Sequence, residues 1–389
     1  MKRGWAHRFG QAGEFMNKGA ILIVTTWILA ILTLFAIGIG FRVGLEIKLT
    51  GYKLDRLKAL HIAKAGIKKA IIEKWKEYAE GKSLGVDAFS ESWSNNKDYF
   101  KNAKVGEGVF MLSYLPGELD RSDKKIVLYG LEDETSRINI NSSKSTPLLK
   151  NLLLESDIDL EEAERIVAAI EDWRDEDNVP KSAGGAEDSY YQTLDTPYAT
   201  GGRDFIVPEE LLLVRGITEE LFYDKLKGYI TVYGEGKINI NTASEDVLTA
   251  LFGIGYPALA SKIIDYRRGV DGKAGTDDDR WFIMGEFVIE RGKRGMVEVK
   301  DLNDANWYDN IFGITDLEYK RIKDLAGAEG LLSTYSDYYR ASCTAKAHKV
   351  KKAVTTVFKF NRPNVVREAG FTEEIPPPDL AYLYWHEER

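Results

Sequence analysis

The chain has one cysteine, Cys343, so no intramolecular disulfide can form, and stability must come from core area or a bound metal. Its four histidines, His7, His61, His348 and His386, are widely scattered and suggest neither a nucleophilic triad nor a histidine zinc site. Positive charge is not in excess: 53 Lys and Arg against 61 Asp and Glu give a net charge of -8, which opposes nonspecific attraction to phosphate backbones. Two local absences matter more. No charged side chain lies between Lys18 and Arg42, and no proline lies between Val43 and Tyr78.

The uncharged run, residues 20–41, is long enough to cross a hydrocarbon core at ~1.5 Å per residue. Lys2, Arg3, Arg8 and Lys18 precede it, so the positive-inside rule keeps that end in the cytoplasm and exports the rest. The run exceeds a usual signal-peptide core and ends in Ile37-Gly38-Ile39-Gly40-Phe41 without an Ala-x-Ala-like site, which favours a retained membrane helix. Beyond Arg42, apolar residues Ile47, Leu54, Leu57, Leu60, Ala63, Ile67, Ala70, Ile71 and Trp75 recur at three- and four-residue steps. One helix is therefore expected from Ala20 to about Tyr78, roughly 90 Å long, ended by Gly81 and Gly85. Its outer half carries an apolar stripe that needs a partner.

A strand-like run, 108–115, is followed by a second, 125–130, with Pro116-Gly117 and Arg121-Ser122-Asp123 between them, which reads as antiparallel pairing. Residues 340–360 give two more strands around a basic turn at 349–352. Strands at both ends with helical material between them suggest one sheet carrying a large insertion. Arg137-Ile138-Asn139-Ile140-Asn141 recurs as Lys237-Ile238-Asn239-Ile240-Asn241, and Thr242 to Glu245 has the form of a capping box. Two copies this far apart look like the edges where the insert meets the sheet.

Residues 247–267, with Gly253-Ile254-Gly255 at the turn, look like a helix-hairpin-helix whose backbone could meet a phosphate. This supports an alternative reading, a membrane-anchored exported DNA receptor of the competence type. Against it, Tyr256, Pro257 and Ala258 stand where a phosphate clamp favours Lys or Arg, and only Lys262, Arg267 and Arg268 follow. A second version, 299–314, is flanked by Asp301, Asp304 and Asp309. The hairpin is read as packing, and no nucleic acid is expected.

Two stretches concentrate carboxylates. Glu171-Asp172-Trp173-Arg174-Asp175-Glu176-Asp177, then Glu187-Asp188-Ser189-Tyr190-Tyr191, offer the oxygen ligands that calcium takes, without EF-hand spacing. In the second, Asp271, Asp277 and Asp279 could close on one cation, the glycines permitting a tight turn. A carboxylate pair alone does not make a glycosidase, and Trp173, Tyr190, Tyr191, Tyr198 and Trp281 read as core, so no enzyme is expected.

A basic leader, Gly19, then about twenty apolar residues opening a long bipartite helix resembles the pilin and pseudopilin class. The resemblance implies that prepilin peptidase cuts after Gly19 and that the new amino group of Ala20 is methylated. That class usually carries glutamate at the fifth mature position, where this chain has Val24. In lipid that carboxylate would neutralise the preceding subunit's amine, so a subunit with nothing before it can lack it. The D-W-x-D-x-D segment from Asp172 to Asp177, the run Gly185-Ala186-Glu187-Asp188, then Tyr190-Tyr191, Pro197-Tyr198 and 210–216, are similar to the type II secretion system minor pseudopilin K family.

The resemblance implies an α+β fold: the long helix packed on a small antiparallel pilin-like sheet carrying a large inserted helical domain. The expected divisions are leader 1–19, membrane and amphipathic helix 20–80, first part of the head 81–141, inserted helical domain 142–236, hairpin segments and acidic loop 237–330, closing strands 331–362 and mobile tail 363–389. It implies structural calcium, carried to Asp175, Asp177, Glu187 and Asp188. It further implies a tip position in a short pseudopilus at the bacterial inner membrane. The implied partners are the I- and J-type minor pseudopilins, prepilin peptidase, the inner-membrane secretion platform, secreted cargo and the outer-membrane secretin.

Overall fold

The computed structural model describes residues 6–79, 86–117, 125–181, 184–284, 299–302, 311, 313–361 and 378–388. Gly81, Gly85, Arg121-Ser122-Asp123, Asp304 and Asp309 lie outside them. Helix α1, Ala6–Ala79, is continuous, and it starts before Ala20 because no proline intervenes and propagation costs little once a turn exists. Residues 20–41 are exposed on every side, as in a helix whose solvent is lipid, and among the described residues α1 is the one helix long and apolar enough to cross a membrane. Further along, Ala59, Ile62, Ala63, Ile67, Ala70, Ile71 and Trp75 form a buried stripe.

That stripe lies on a sheet. After the short helix α2, Lys97–Phe100, come β1, Ala103–Val105, and β2, Gly108–Leu112, an antiparallel hairpin; β3 is Glu132–Asp133. The long strands β10, Tyr338–Ala347, and β11, Val350–Asn361, follow near the C-terminus. With β12, Asp379–Glu387, the order is β1-β2-β10-β11-β12, with β3 also on β10, and all these pairings are antiparallel. Two expectations need correcting. The run 125–130 forms no full strand but isolated bridge residues, Lys125 and Leu128, the latter paired with Tyr114. The tail, expected to be mobile, contains β12, Asp379–Glu387, paired along its length with β11. Its Tyr, Trp and Leu content favours a strand, and the prolines at 376–378 end just before it rather than dissolving it.

Between β3 and β10 lies the inserted helical part, with one core running from Ile138 to Leu332 through both stretches expected as separate. Its elements are β4, Ile138–Asn139; α3, Thr146–Glu155; α4, Leu160–Arg174; the short α5, Asp188–Tyr191; β5, Ile230–Thr231; β6, Ile238–Asn239; α6, Glu245–Phe252; α7, Leu259–Arg267; β7, Trp281–Ile283; β8, Val299–Asp301; α8, Asp316–Ala326; and β9, Leu332–Ser333. The two Asn-Ile-Asn copies do not join the large sheet. Each makes its own parallel pair, β4 with β5 and β6 with β9.

The copies make matching bonds. Asn139 Oδ1 accepts from Asn141 N at 2.8 Å, and Asn239 Oδ1 from Asn241 N at 3.0 Å. Asn141 receives Phe205 N and donates to Phe205 O and Val232 O; Asn241 receives Phe282 N and donates to Phe282 O and Thr334 O. Arg174 at the end of α4 donates to Ile140 O, and Arg267 at the end of α7 to Ile240 O. The sequence echo is thus one half-module used twice, each asparagine supplying the donors and acceptors a buried loop backbone would otherwise lack. The capping box expected at Thr242 is corrected too. Ser244 caps α6, while Thr242 Oγ1 donates to buried Asp133.

Contact between α1 and the sheet depends on a missing side chain. A Cβ at Gly66 would stand 2.6 Å from Phe110 Cδ2 and 2.9 Å from Cys343 Sγ, closer than packed atoms come. Alanine there gains about 1 kcal/mol of helix propensity but incurs about 1–3 kcal/mol of overpacking. Gly66→Ala should therefore be neutral to moderately destabilising, and Gly66→Leu severely so, read as the thermal midpoint of the head. Gly51, with nothing within 4 Å of its Cβ position and outside the stretch packed on the sheet, is the control whose change to alanine should leave that midpoint unlowered.

Candidate functional site

Helix α4 begins at Asp159, whose Oδ1 accepts from Glu162 N at 2.9 Å, and buries Ala163, Ile166, Val167, Ile170 and Trp173 in the module core. Asp172 lies among these apolar positions and is fully buried. Arg174 closes α4 and Asp175 follows as its C-cap. The chain returns through Gly184 and Gly185 to Glu187, which precedes α5. At Gly185 a Cβ would collide with the Asp172 carboxylate, so only glycine lets the returning backbone pass this close.

One oxygen each from Asp172, Asp175 and Glu187 lie within 4.8 Å of one another. Oxygens around a calcium ion at 2.3–2.6 Å are spaced on that order. Both Glu187 oxygens and Asp175 Oδ1 are buried without a hydrogen-bond partner, although buried carboxylates normally have several. Lys181 supplies some compensation, its Nζ 3.1 Å from Asp175 Oδ2 and its backbone N 3.2 Å from both Asp172 oxygens. It leaves Glu187 unanswered. Burial first, then Asp172 and Asp175, push the Glu187 carboxyl up to about 7, and burial likewise raises Asp172. Hard oxygen donors, excess negative charge and orphaned lone pairs fit a hard divalent cation.

Of the residues carried from the resemblance, Asp175 and Glu187 are brought together. Asp177 is exposed and its Oδ1 accepts from Val179 N, while Asp188 Oδ1 accepts from Thr200 N and Oγ1. Asp172 was missed as a ligand; a carboxylate among the inward positions of an amphipathic helix is the signal that marks it. In the second acidic loop, Asp271, Asp277 and Asp279 are not gathered into such a group, the cluster above being the one found among the described residues. Asp271 and Asp277 are exposed, and Asp279 is buried with its Oδ2 accepting from Gly275 N. The organiser there is Asp278, whose Oδ2 accepts from Val270 N and Asp271 N.

The hairpin α6–α7 places no free cation for a phosphate. Lys262 Nζ lies 2.7 and 2.9 Å from the two oxygens of Glu318, Arg267 is buried on backbone carbonyls, and Arg268 is buried. Of the aromatic residues near the acidic loops, Trp173 and Tyr191 are core, buried edge to face at 5.3 Å with Trp173 stacked on Phe205, while Tyr190, Tyr198 and Trp281 are partly exposed and pack against core residues.

A family model described as type II secretion system (T2SS), protein K matches residues 128–235. The type II secretion system protein K of Aeromonas hydrophila is 24% identical over 359 residues, 89% of this chain and 94% of that one. Its counterpart from Pseudomonas aeruginosa is 26% identical over 67% of this chain and 75% of its own length. That of Pectobacterium carotovorum is 43% identical over 110 residues, 27% of this chain and 32% of that protein. Among solved structures, a chain of the GspK-GspI-GspJ complex from the enterotoxigenic Escherichia coli type 2 secretion system aligns with TM-score 0.56 and 15% identity, covering 87% of this chain and 99% of that one. The long helix on an antiparallel sheet, the doubled helical insert and these likenesses agree: over most of its length the chain is similar to the type II secretion system protein K family.

Proposed function

We propose that this chain is a minor pseudopilin that sits at the tip of a type II secretion pseudopilus, starts its assembly with the I- and J-type minor pseudopilins and aids export of folded proteins across the outer membrane. The observation that carries the reading is α1. It is lipid-like through residues 20–41, still exposes Ile47, Tyr52, Leu54 and Leu57 beyond them, and only then buries its stripe in the head. Exposed apolar side chains in that middle stretch are what neighbouring helices in a filament would cover. The likeness to a chain solved in complex with GspI and GspJ supports partners of the same kind.

The rest of the proposal follows from the helix. Prepilin peptidase cuts after Gly19, the Ala20 amine is methylated, and the helix holds the head outside the inner membrane with its basic end in the cytoplasm. Val24 in place of a glutamate suits a subunit with none before it. The secretion platform, cargo and secretin are its further partners. The role is mechanical rather than catalytic, and the Asp172, Asp175 and Glu187 oxygens would hold a calcium ion that ties the end of α4 to its returning loop. Co-expressed with its own I- and J-type neighbours, the full chain should co-purify with them. Leu54→Asp with Leu57→Asp should break the association while leaving the thermal midpoint of the head unchanged, and a head that ignores both neighbours would refute the assignment.

A further inference from the structure

Where the helical module meets the sheet there is a cleft of about 260 Å³, with one wall from β10 and β12 and the other from the segments around Pro208 and β5. It falls just under the ~300 Å³ at which drug-sized sites begin, so it suits a single side chain or chain end. Val207, Pro208 and Ile230 give it an apolar side. Its polar side is mostly donors: the guanidinium of Arg340, the ammonium of Lys227 and the phenols of Tyr233 and Tyr384.

The ion pairs of Arg340 with Glu134 and Glu132 both run through Nε, so its Nη1 and Nη2 donors are not used by them. Neither phenolic oxygen has a hydrogen-bond partner among the described residues. Charge limits what can enter. Arg137 and Arg340 are already balanced by Glu132 and Glu134, which lie buried beneath, and Lys227 is held 3.2 Å from the half-exposed Glu209. One negative charge can displace Glu209 from Lys227; a second would stay uncompensated. The planar fork of a guanidinium matches two carboxylate oxygens.

We propose that this cleft receives a carboxylate carried on a short apolar stem, from a polypeptide chain end or a glutamate side chain, and so joins module to sheet through the ligand. The full chain in detergent, with ring-labelled tyrosines, is titrated with N-acetylphenylalanine as the chain-end probe and the α-amide of N-acetylglutamate as the side-chain probe. N-acetylphenylalanine amide and inorganic phosphate are the comparisons. The Tyr233 and Tyr384 signals, assigned with Tyr233→Phe and Tyr384→Phe, should move saturably with a carboxylate and not with the amide or phosphate. The tighter of the two carboxylates names the source. Lys227→Met, which touches no buried ion pair, should weaken binding about tenfold, as expected for one lost charge-assisted contact. The proposal fails if neither tyrosine responds, if the amide or phosphate moves them equally, or if Lys227→Met leaves the affinity unchanged.

Discussion

Calcium added to the metal-free full chain should raise the thermal midpoint of its head by about 5–10 °C, the shift expected for a ligand at roughly a hundred times its dissociation constant. The source of the gain is Glu187. Its two buried oxygens have no donor, and Asp172 and Asp175 face it with further negative charge. In the metal-free protein the carboxyl is pushed up from 4.5 to about 7, first by burial. The folded state therefore holds this proton more tightly than the unfolded chain does. The stability it contributes is full below the ordinary carboxylate value and is lost as pH rises through about 7. Calcium takes the proton's place, so the calcium-induced rise should be larger at pH 8 than at pH 5.5.

The variants separate a metal site from a merely acidic loop. Glu187→Gln should stabilise the metal-free protein at alkaline pH, because it removes an uncompensated charge, and should abolish the calcium response. Asp175→Ala should also abolish it. Asp177→Ala should leave it intact, since that side chain is turned to Val179 N. Differential scanning calorimetry with and without calcium reads all of these.

Lys74→Met should cost about 3–5 kcal/mol, the penalty for leaving a buried charge without its partner. Lys74 stands near the end of α1, fully buried, and its ammonium bonds to Asp87 and lies 3.1 Å from Glu77. It also sits 4.6 Å over the Trp93 ring. Asp87 in turn accepts from Ser336 N and from Tyr339 Oη at 3.0 Å, and its backbone carbonyl receives Asn239 Nδ2. One ion pair therefore joins the anchor helix, the start of the central strand β10 and the second half-module. Apolar packing alone would hold α1 on the sheet, but not at this rotation about its axis, because the ammonium must reach Asp87, a carboxylate outside its own helix. Adding Asp87→Asn to Lys74→Met should recover part of the loss, since it removes the stranded charge. Thermal midpoints and protease resistance at the helix end read both variants.

Much of this was legible in residue order. The uncharged run, the 3–4 spacing after it and the paired strands at 340–360 each follow from one periodicity, and each is found, although the strands turn at His348-Lys349 rather than at 349–352, the lysines at 351 and 352 alternating within β11. The tail was not, because three prolines and a charged end outweighed the alternation of Leu380, Tyr382 and Tyr384, whose partner β11 is visible only in three dimensions. The Asn-Ile-Asn echo was seen but placed at the wrong edge: a parallel pair two residues long leaves no periodic trace. At the acidic site, Asp175 and Glu187 could be carried by resemblance. Choosing Asp172 over Asp177 required knowing which carboxylates face inward, which depends on the phase of α4 at its last turn.

The account rests on α1 being a retained, processed pseudopilin helix, and mapping the mature N-terminus tests that most directly. Mass spectrometry of the chain from cells carrying the secretion system should find a polypeptide that begins at Ala20 with a methylated amine, and Gly19→Ala should leave the leader attached. A mature chain that begins elsewhere, or a Gly19→Ala variant processed at the same bond, would contradict the account.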